Sequence, residues 1–470
     1  MLFNSDVFLV FLAGFLLLYY AVRGRLAWRN GLIVAASYTF YGWWDWRLMS
    51  LLAGSSLLDF GVGRALMRSE SPGRRRCWLG LSLAGNLSLL GFFKYFGFFY
   101  DSLALVLAQI GFEPQARTWQ IILPVGISFY TFQTLSYTID IYRRQMGAAG
   151  SLLDYLAYVA FFPQLVAGPI ERAQHLLPQF GETRHITRAG VAEGIRLILG
   201  GMFLKVVVAD NLAPLADLAF GVADPGAPVI VLGTLAFGLQ IYADFAGYSD
   251  IARGLARLLG FELRVNFRWP YLAGNVREFW HRWHISLSTW LRDYLYISLG
   301  GSRCGPGRTR VNLFLTMLLG GLWHGAAWHF VLWGAWHGAG LLIHRAWRGN
   351  RPGSESRLAR KAAWAGTMLF VFYGWLLFRA GSIGHAVSLT LGLADWSWPA
   401  WGGSLGLNLL VFGAPVILGH WVAGREASGA ASDDAGPGLG AWRWVLQGIQ
   451  LAAIGLFWGK QGTPFIYFQF

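Results

Sequence analysis

Apolar segments of nearly membrane-spanning length recur from one end of this 470-residue chain to the other. About 20 apolar residues of helix are needed to cross a bilayer. No water reaches the bilayer core, so a helix must satisfy the backbone hydrogen bonds there internally. The pattern therefore predicts a chain that crosses a membrane repeatedly. The segments lie at residues 7–22, 31–43, 48–66, 78–100, 120–139, 152–168, 190–209, 228–246, 285–300, 311–330, 331–346, 363–379, 405–423 and 441–459.

Composition supports this class, because 55% of the residues are hydrophobic and only 13% are charged, against about 25% charged in soluble domains. Some segments are short or contain Pro and Gly, as around Pro124, which is typical of re-entrant segments buried in protein. We expect an all-α polytopic membrane protein with about 11 to 13 transmembrane helices plus re-entrant and interfacial helices. Neither a transporter-type repeat nor a soluble domain is visible, so residues 1–470 are expected to form a single transmembrane domain.

The net charge of +14 does not indicate a nucleic-acid partner. The basic residues form short clusters between apolar runs, as cytoplasmic loops do. Arg23, Arg25 and Arg29 follow the first apolar segment, which predicts that the N-terminus lies outside the cytoplasm. Counting from the basic loop at residues 345–361 places the C-terminal tail, residues 460–470, on the outer side as well.

One stretch, residues 266–338, fills with histidine, arginine and tryptophan. Ionisable groups are costly within a bilayer and mark functional sites there. Asn275 followed by Glu278 fits an Asn-led capping box, which predicts a helix start. On one helix His281 and His284 would share a face. They would supply half of a metal site, but no carboxylate or cysteine completes the ligand set, so we expect no metal.

The second half of the stretch, GLWHGAAWHFVLWGAWHG, places Trp323 and His324 between Gly321 and Gly325. Small residues there would let another helix or a substrate chain approach closely. A neutral imidazole takes a proton from a hydroxyl or thiol as acyl transfer begins. The alternative is a histidine that packs and bonds to other helices. We prefer the catalytic interpretation for His324 and the packing interpretation for His329, His337 and His344.

Three motifs carry a family resemblance: FFPQLVAGPIER (residues 161–172), NFRWPYLAGNVREFWHRWHISLSTWLRDYLYISLGG (residues 266–301) and the GLWHG segment (residues 321–338). Similar matches occur at the start, MLFNSDVFL, and at the end, TPFIYFQF. With these motifs the chain resembles the membrane-bound O-acyltransferase family, in its bacterial alginate O-acetylation branch. The resemblance covers essentially the whole sequence.

The resemblance implies acyl transfer through a central funnel, with a catalytic core at residues 266–345. The family's invariant catalytic histidine falls on His324, and a second, less strict position falls on His284. Acetyl-coenzyme A would arrive from the cytoplasm as a substrate rather than as a permanently bound cofactor. Its acetyl group would cross a bacterial inner membrane to a periplasmic SGNH-type acetyltransferase and the polysaccharide export machinery. Alginate is the expected acceptor polymer.

Two further sites are predicted. Coenzyme A phosphates favour arginine, and Arg303, Arg308 and Arg310 crowd the segment before the catalytic helix; topology-setting charge explains them equally well. A phenol activated by a base can carry an acyl group, and related envelope acylation systems, including D-alanylation of teichoic acid, use a similar tail motif. Tyr467 is therefore a candidate acyl relay, with an interfacial aromatic anchor as the alternative.

Two other functions stay open. The first is acetylation of another envelope polymer, such as cellulose or peptidoglycan, and the chemistry of the polymer would distinguish it from acetylation of alginate. The other is transport of a glycan or lipid precursor. Against transport stand the absent repeats and the concentration of ionisable residues around one acyltransferase signature rather than along a pathway.

Overall fold

The computed structural model describes residues 1–112, 121–166, 168–348, 356–427, 438–459 and 465–466. All regular structure in these ranges is helical, which confirms the all-α class. The α-helices are α1 (Asp6–Val22), α2 (Leu26–Gly42), α3 (Met49–Arg68), α4 (Pro72–Leu90), α5 (Phe96–Gln109), α6 (Ile127–Tyr142), α7 (Leu152–Ala160), α8 (Phe162–Leu165), α9 (Ala173–Leu176), α10 (Arg188–Met202), α11 (Asp210–Gly221), α12 (Ala227–Leu258), α13 (Val276–Arg282), α14 (Ile285–Trp290), α15 (Gly305–His324), α16 (Trp328–Arg348), α17 (Arg357–Arg379), α18 (Ile383–Gly392), α19 (Gly402–Ala427) and α20 (Gly438–Phe457). Turns of π-helix at Gly91–Tyr95, Phe203–Ala209 and Leu291–Tyr296 interrupt them.

Four helical segments of the described chain are long and apolar enough to cross a membrane: Pro72–Gln109, Ala227–Leu258, Arg357–Arg379 and Gly402–Arg425. Their burial differs widely. Within its most apolar stretch, Ala227–Leu258 is 83% buried by protein, whereas Pro72–Gln109 is 6% buried. The multi-pass class is therefore confirmed, and the predicted count of about 11 to 13 crossings stays a prediction.

The chain forms two compact units, and the prediction of one domain over residues 1–470 stays a prediction. The first unit contains residues 1–194 and 255–264. In it α3, α4 and α6 are joined by a buried polar network around Asn86, whose side-chain amide donates to the Asp59 carboxylate at 2.8 Å. Asp59 also accepts a hydrogen bond from Ser82 at 2.6 Å. Every oxygen of the carboxylate thus has a donor, as burial of a charged group requires.

Arg29, which was interpreted as a topology-setting charge, also has a structural role. The residue lies inside α2 and is fully buried. Its guanidinium donates to the carbonyl oxygens of Glu182 at 2.7 Å and Phe180 at 2.9 Å. Arg29 therefore fastens a loop of the first unit, and the orientation of α1 stays a prediction.

The second unit contains residues 195–254 and 265–470. Its most closely packed helix pair is α15 and α16. A Cβ at Gly321 would overlap the carbonyl oxygen of Phe330, and one at Gly334 would lie 2.5 Å from the carbonyl oxygen of Met317. The two backbones therefore nearly touch, which confirms the close approach predicted for the Gly321 surface.

The predicted capping of the central stretch is confirmed. The side chain of Asn275 accepts a hydrogen bond from the backbone N–H of Glu278 at 2.9 Å, and α13 begins at the next residue. The helix ends earlier than predicted, because Trp283 is extended and His284 adopts a left-handed backbone conformation. The predicted apolar segment at residues 285–300 is likewise divided into α14, a π-helical turn and a loop.

Candidate active site

The structure brings the two candidate histidines together inside the second unit. His324 is the last residue of α15, and His284 immediately precedes α14. Their ring centroids are 6.4 Å apart, and the two residues are 3% and 0% exposed. Two imidazoles at this separation can both contact one small reacting group, although the two residues are 40 positions apart in sequence.

Asn266 orients the ring of His284. The side-chain oxygen of Asn266 accepts a hydrogen bond from the backbone N–H of Ser286 at 3.2 Å and from its hydroxyl at 2.9 Å. The same oxygen lies 3.1 Å from Nδ1 of His284. A backbone N–H can only donate, so this oxygen is an acceptor and Nδ1 must carry the proton. In the neutral ring the lone pair is then on Nε2.

The backbone at His284 adopts a strained conformation. Its φ is +42°, and Trp269 in the same stretch has a φ of +52°. Residues other than glycine rarely adopt such angles, and those that do cluster at functional sites. The turn at His284 ends α13 and directs the imidazole towards Asn266 rather than along the helix face.

Aromatic rings surround His324. Trp323, Trp333 and Phe378 have ring centroids 5.1, 5.0 and 5.5 Å from that of its imidazole. Phe245 packs on the other histidine, His284, at 4.6 Å with its ring nearly perpendicular. Such walls exclude water, which strengthens every polar interaction inside them.

Two other histidines of the stretch differ in their surroundings. His337 is fully buried among aromatic rings, with Trp280 at 5.1 Å and with Trp333, which also packs on His324, at 4.8 Å. Neither ring nitrogen of His337 has a hydrogen-bond partner in the described part of the chain, so the packing expected for it is present and the bonds to other helices are not. His281 is exposed while His284 is buried, so the shared face expected for them is wrong. Although His281 is exposed, the part of its side chain that is buried lowers its pKa, and the guanidinium groups of Arg277 and Arg292 lower it further. Within the described part of the chain no three candidate ligands gather into a metal site.

The three predicted donor-site arginines lie at the end of α15 opposite His324. Arg308 and Arg310 are in the first turns of α15, Arg303 precedes it, and all three are exposed. At 1.5 Å per residue, Arg308 and His324 are about 24 Å apart along the axis. The N-terminus of α15 adds a partial positive charge at the same end. One helix thus joins an exposed cationic end to a buried histidine.

The predicted relay, Tyr467, lies outside the described residues. The two residues before it are described and belong to the second unit. Phe465 is 0% exposed and Ile466 is 2% exposed. Both pack against α12, where the ring of Phe465 is 4.5 Å from that of Tyr248 and 5.7 Å from that of Phe245. The side of the membrane on which the tail lies stays a prediction.

Sequence reasoning missed two groups of residues. Asn266 opens a motif that was recognised, but nothing in the sequence shows that its amide meets His284. Lys205, Asp210 and Asp244 lie in or beside predicted apolar segments, and they are buried in contact with one another. The rule that ionisable residues in membrane segments mark function would have selected them.

Comparison with known proteins identifies the family. The model of the membrane-bound O-acyltransferase family matches residues 142–383. The chain is 45% identical over 405 residues to the probable alginate O-acetylase AlgI of Azotobacter vinelandii, covering 84% of this chain and 79% of that protein. This chain belongs to the membrane-bound O-acyltransferase family. It is a multi-pass membrane enzyme and an O-acetyltransferase of that family.

Two other relatives differ in the named acceptor. The chain is 34% identical over 428 residues to a peptidoglycan O-acetyltransferase of Helicobacter pylori, which covers 84% of this chain and 80% of that protein. It is 29% identical over 276 residues to a teichoic acid D-alanyltransferase of Streptococcus thermophilus, covering 54% and 64%. The names of the three relatives describe transfer of an acetyl or D-alanyl group to alginate, peptidoglycan or teichoic acid.

Proposed function

We propose that this chain takes an acetyl group from cytoplasmic acetyl-coenzyme A and passes it across a bacterial inner membrane for O-acetylation of an exported polysaccharide. Alginate is the preferred candidate for that polysaccharide. The observation that carries the proposal is the buried pair of His284 and His324 with centroids 6.4 Å apart. The relatives named as alginate O-acetylases support the choice of polymer. Acetylation of another envelope polymer, such as peptidoglycan or cellulose, is the alternative, and the name of the Helicobacter pylori relative supports peptidoglycan.

The donor is assigned to α15, with its phosphates at the start of the helix and its thioester at the end. Arg303, Arg308 and Arg310 would bind the phosphates of coenzyme A through charge-assisted hydrogen bonds. The thioester end would reach His324, about 24 Å further along the axis. This arrangement separates recognition of the exposed, charged part of the donor from chemistry in a dry interior, which favours charge stabilisation in the transition state.

In the chemical step His324 acts as the base. Its imidazole takes the proton of an acceptor hydroxyl while the hydroxyl oxygen attacks the thioester carbonyl carbon. The carbon–oxygen bond forms, the carbon–sulfur bond breaks, and the proton passes to the departing thiolate. His284, with Nδ1–H held by Asn266, presents Nε2 to the same region and assists in orienting the donor.

The acceptor hydroxyl is assigned to the phenol of Tyr467. The phenol becomes an acetyl ester, which then passes its acetyl group to a periplasmic SGNH-type acetyltransferase acting on the polymer. Burial of Phe465 and Ile466 in the unit that contains both histidines supports this assignment. The alternative role of Tyr467 is an aromatic anchor at the membrane interface.

Mass spectrometry of the C-terminal peptide tests the proposal. Purified protein is incubated with isotopically labelled acetyl-coenzyme A, and the mass of the peptide that contains Tyr467 is measured. We expect one labelled acetyl group on Tyr467 in the wild type and none in Tyr467→Phe or His324→Ala. Consumption of the donor without label on the peptide would exclude the relay, and full polymer acetylation by Tyr467→Phe would exclude it as well.

A further inference from the structure

Three buried charged residues in the second unit lie against the end of the chain. The ammonium group of Lys205 is 2.8 Å from a carboxylate oxygen of Asp210 and 2.8 Å from one of Asp244. The three side chains are at most 5% exposed. Burial of charges is costly even when they are paired, and replacement by apolar residues is often neutral or stabilising. Such a cluster in a membrane enzyme points to a function.

The three charged residues come from three helical elements of the second unit. Lys205 lies in the π-helical turn Phe203–Ala209, a feature frequent at functional sites. Asp210 begins α11, and Asp244 lies on α12. Gly201 on α10 and Gly247 on α12 allow the backbones of these two helices to meet. A Cβ at either position would lie within 2.7 Å of the carbonyl oxygen of the other glycine. The close approach places Lys205 within reach of Asp244.

The cluster has one cation and two carboxylates, so it carries excess negative charge when all three groups are ionised. The second carboxylate oxygen of Asp244 accepts a hydrogen bond from the backbone N–H of Ile466 at 2.7 Å. A donor to a buried carboxylate lowers the cost of its charge. The tail therefore stabilises the cluster, and the cluster in turn binds the tail.

The ring of Phe465 strengthens this attachment. It is buried against Tyr248 and Phe245, with centroids at 4.5 and 5.7 Å. Phe245 also packs on His284 at 4.6 Å. Asp244, Phe245 and Tyr248 share one surface of α12, so the segment that docks on the ion cluster also docks beside the histidine site.

We propose that Lys205, Asp210 and Asp244 form a docking site for the C-terminal segment at residues 465–466, and that this docking sets the position of the tail for acyl transfer. Asp244 is thus a positioning residue that acts through the backbone of Ile466. The docking follows from the contacts alone, whereas its catalytic consequence rests on the proposed function. The effect of the site would be on the transfer step rather than on donor binding.

The substitution Ile466→Pro tests the docking, because proline has no backbone N–H to donate to Asp244. Ile466→Val keeps the N–H and is the matched control. Full-length protein in detergent micelles is treated with carboxypeptidase Y, and release of C-terminal residues is timed. We expect release about tenfold faster from Ile466→Pro than from wild type, the equivalent of about 1.4 kcal/mol of lost docking, with Ile466→Val unchanged. Equal release from all three proteins would overturn the docking site.

A second readout separates positioning from simple attachment. With acetyl-coenzyme A as donor, Ile466→Pro should lower kcat for transfer by about tenfold while KM for the donor stays within about twofold. Asp244→Asn should show the same split, and its unfolding temperature reports whether the cluster has collapsed. Faster tail release with unchanged kcat would overturn the positioning role. Absence of donor turnover by the wild type would instead refute the proposed function, while the release assay would still report on docking.

Discussion

Asn86 and Asn266 are a closely matched pair with different tasks. Each is 1% exposed, and each has a side-chain amide at the centre of a buried hydrogen-bond network. Asn86 joins helices of the first unit through Asp59 and Ser55, and its helix is regular. Asn266 holds the imidazole of His284 in a strained turn of the second unit. Burial and hydrogen bonding are therefore alike, and the two asparagines differ in what the amide contacts: a carboxylate that joins helices or the ring of a candidate catalytic histidine.

The largest difference between the two asparagines is expected in catalysis. Asn266→Ala removes the acceptor that fixes Nδ1–H of His284, so acyl transfer should fall by about 10- to 100-fold. Asn266→Asp keeps an acceptor oxygen and should retain more of the rate. Acetyl-coenzyme A turnover per folded molecule measures the effect. Equal rates for Asn266→Ala and wild type would remove Asn266 from the site.

The three exposed arginines are expected to have a smaller effect than Asn266, and the effect is on donor binding. Its dependence on salt concentration distinguishes it from the effects of the buried networks. Replacing Arg303, Arg308 and Arg310 together by Gln should raise KM for acetyl-coenzyme A about tenfold with little change in kcat. Exposed charges are screened by salt, so the wild-type KM should rise with ionic strength and the variant's should not.

The control for that experiment replaces another exposed basic cluster, Arg357, Arg360 and Lys361 at the start of α17, by Gln. This variant should bind the donor as the wild type does. If both triple variants weaken donor binding equally, the arginines before α15 contribute only general charge.

The smallest effect on catalysis is expected at Asn86. Asn86→Ala leaves a carboxylate oxygen of buried Asp59 without its donor, which should lower the free energy of unfolding by about 1–3 kcal/mol. Transfer per folded molecule should stay within about twofold of wild type, because the site contains none of these groups. Thermal unfolding in detergent and turnover are measured on the same samples. A large loss of turnover with unchanged stability would break the comparison.

Much of the fold class could be predicted because it depends on local pattern. The apolar segments, the Asn275 cap and the close packing at Gly321 all follow from spacing along the chain. The break at His284 could not be predicted, because its left-handed backbone is fixed by a tertiary contact to Asn266. Local helix preference gave way to that contact, and for this reason the shared face of His281 and His284 was wrong.

Within the candidate site, motif and chemistry identified His284 and His324 but not their relation. Their 40-residue separation hides the 6.4 Å between their rings. Lys205 and Asp244 were visible as charges in apolar sequence, yet no local rule pairs residues on different helices. Sequence thus proposed candidate reactive groups, and only the structure identified the groups that hold them.

Cleavage of acetyl-coenzyme A by purified protein tests the central claim most directly. The release of coenzyme A thiol is followed for wild type, His324→Ala and His420→Ala, the last a buried histidine of α19 that packs on Tyr242, Trp269 and Tyr271. We predict a loss of about 10²- to 10⁴-fold in His324→Ala, and a rate per folded molecule close to wild type in His420→Ala. Turnover by folded His324→Ala equal to that of wild type would contradict the account.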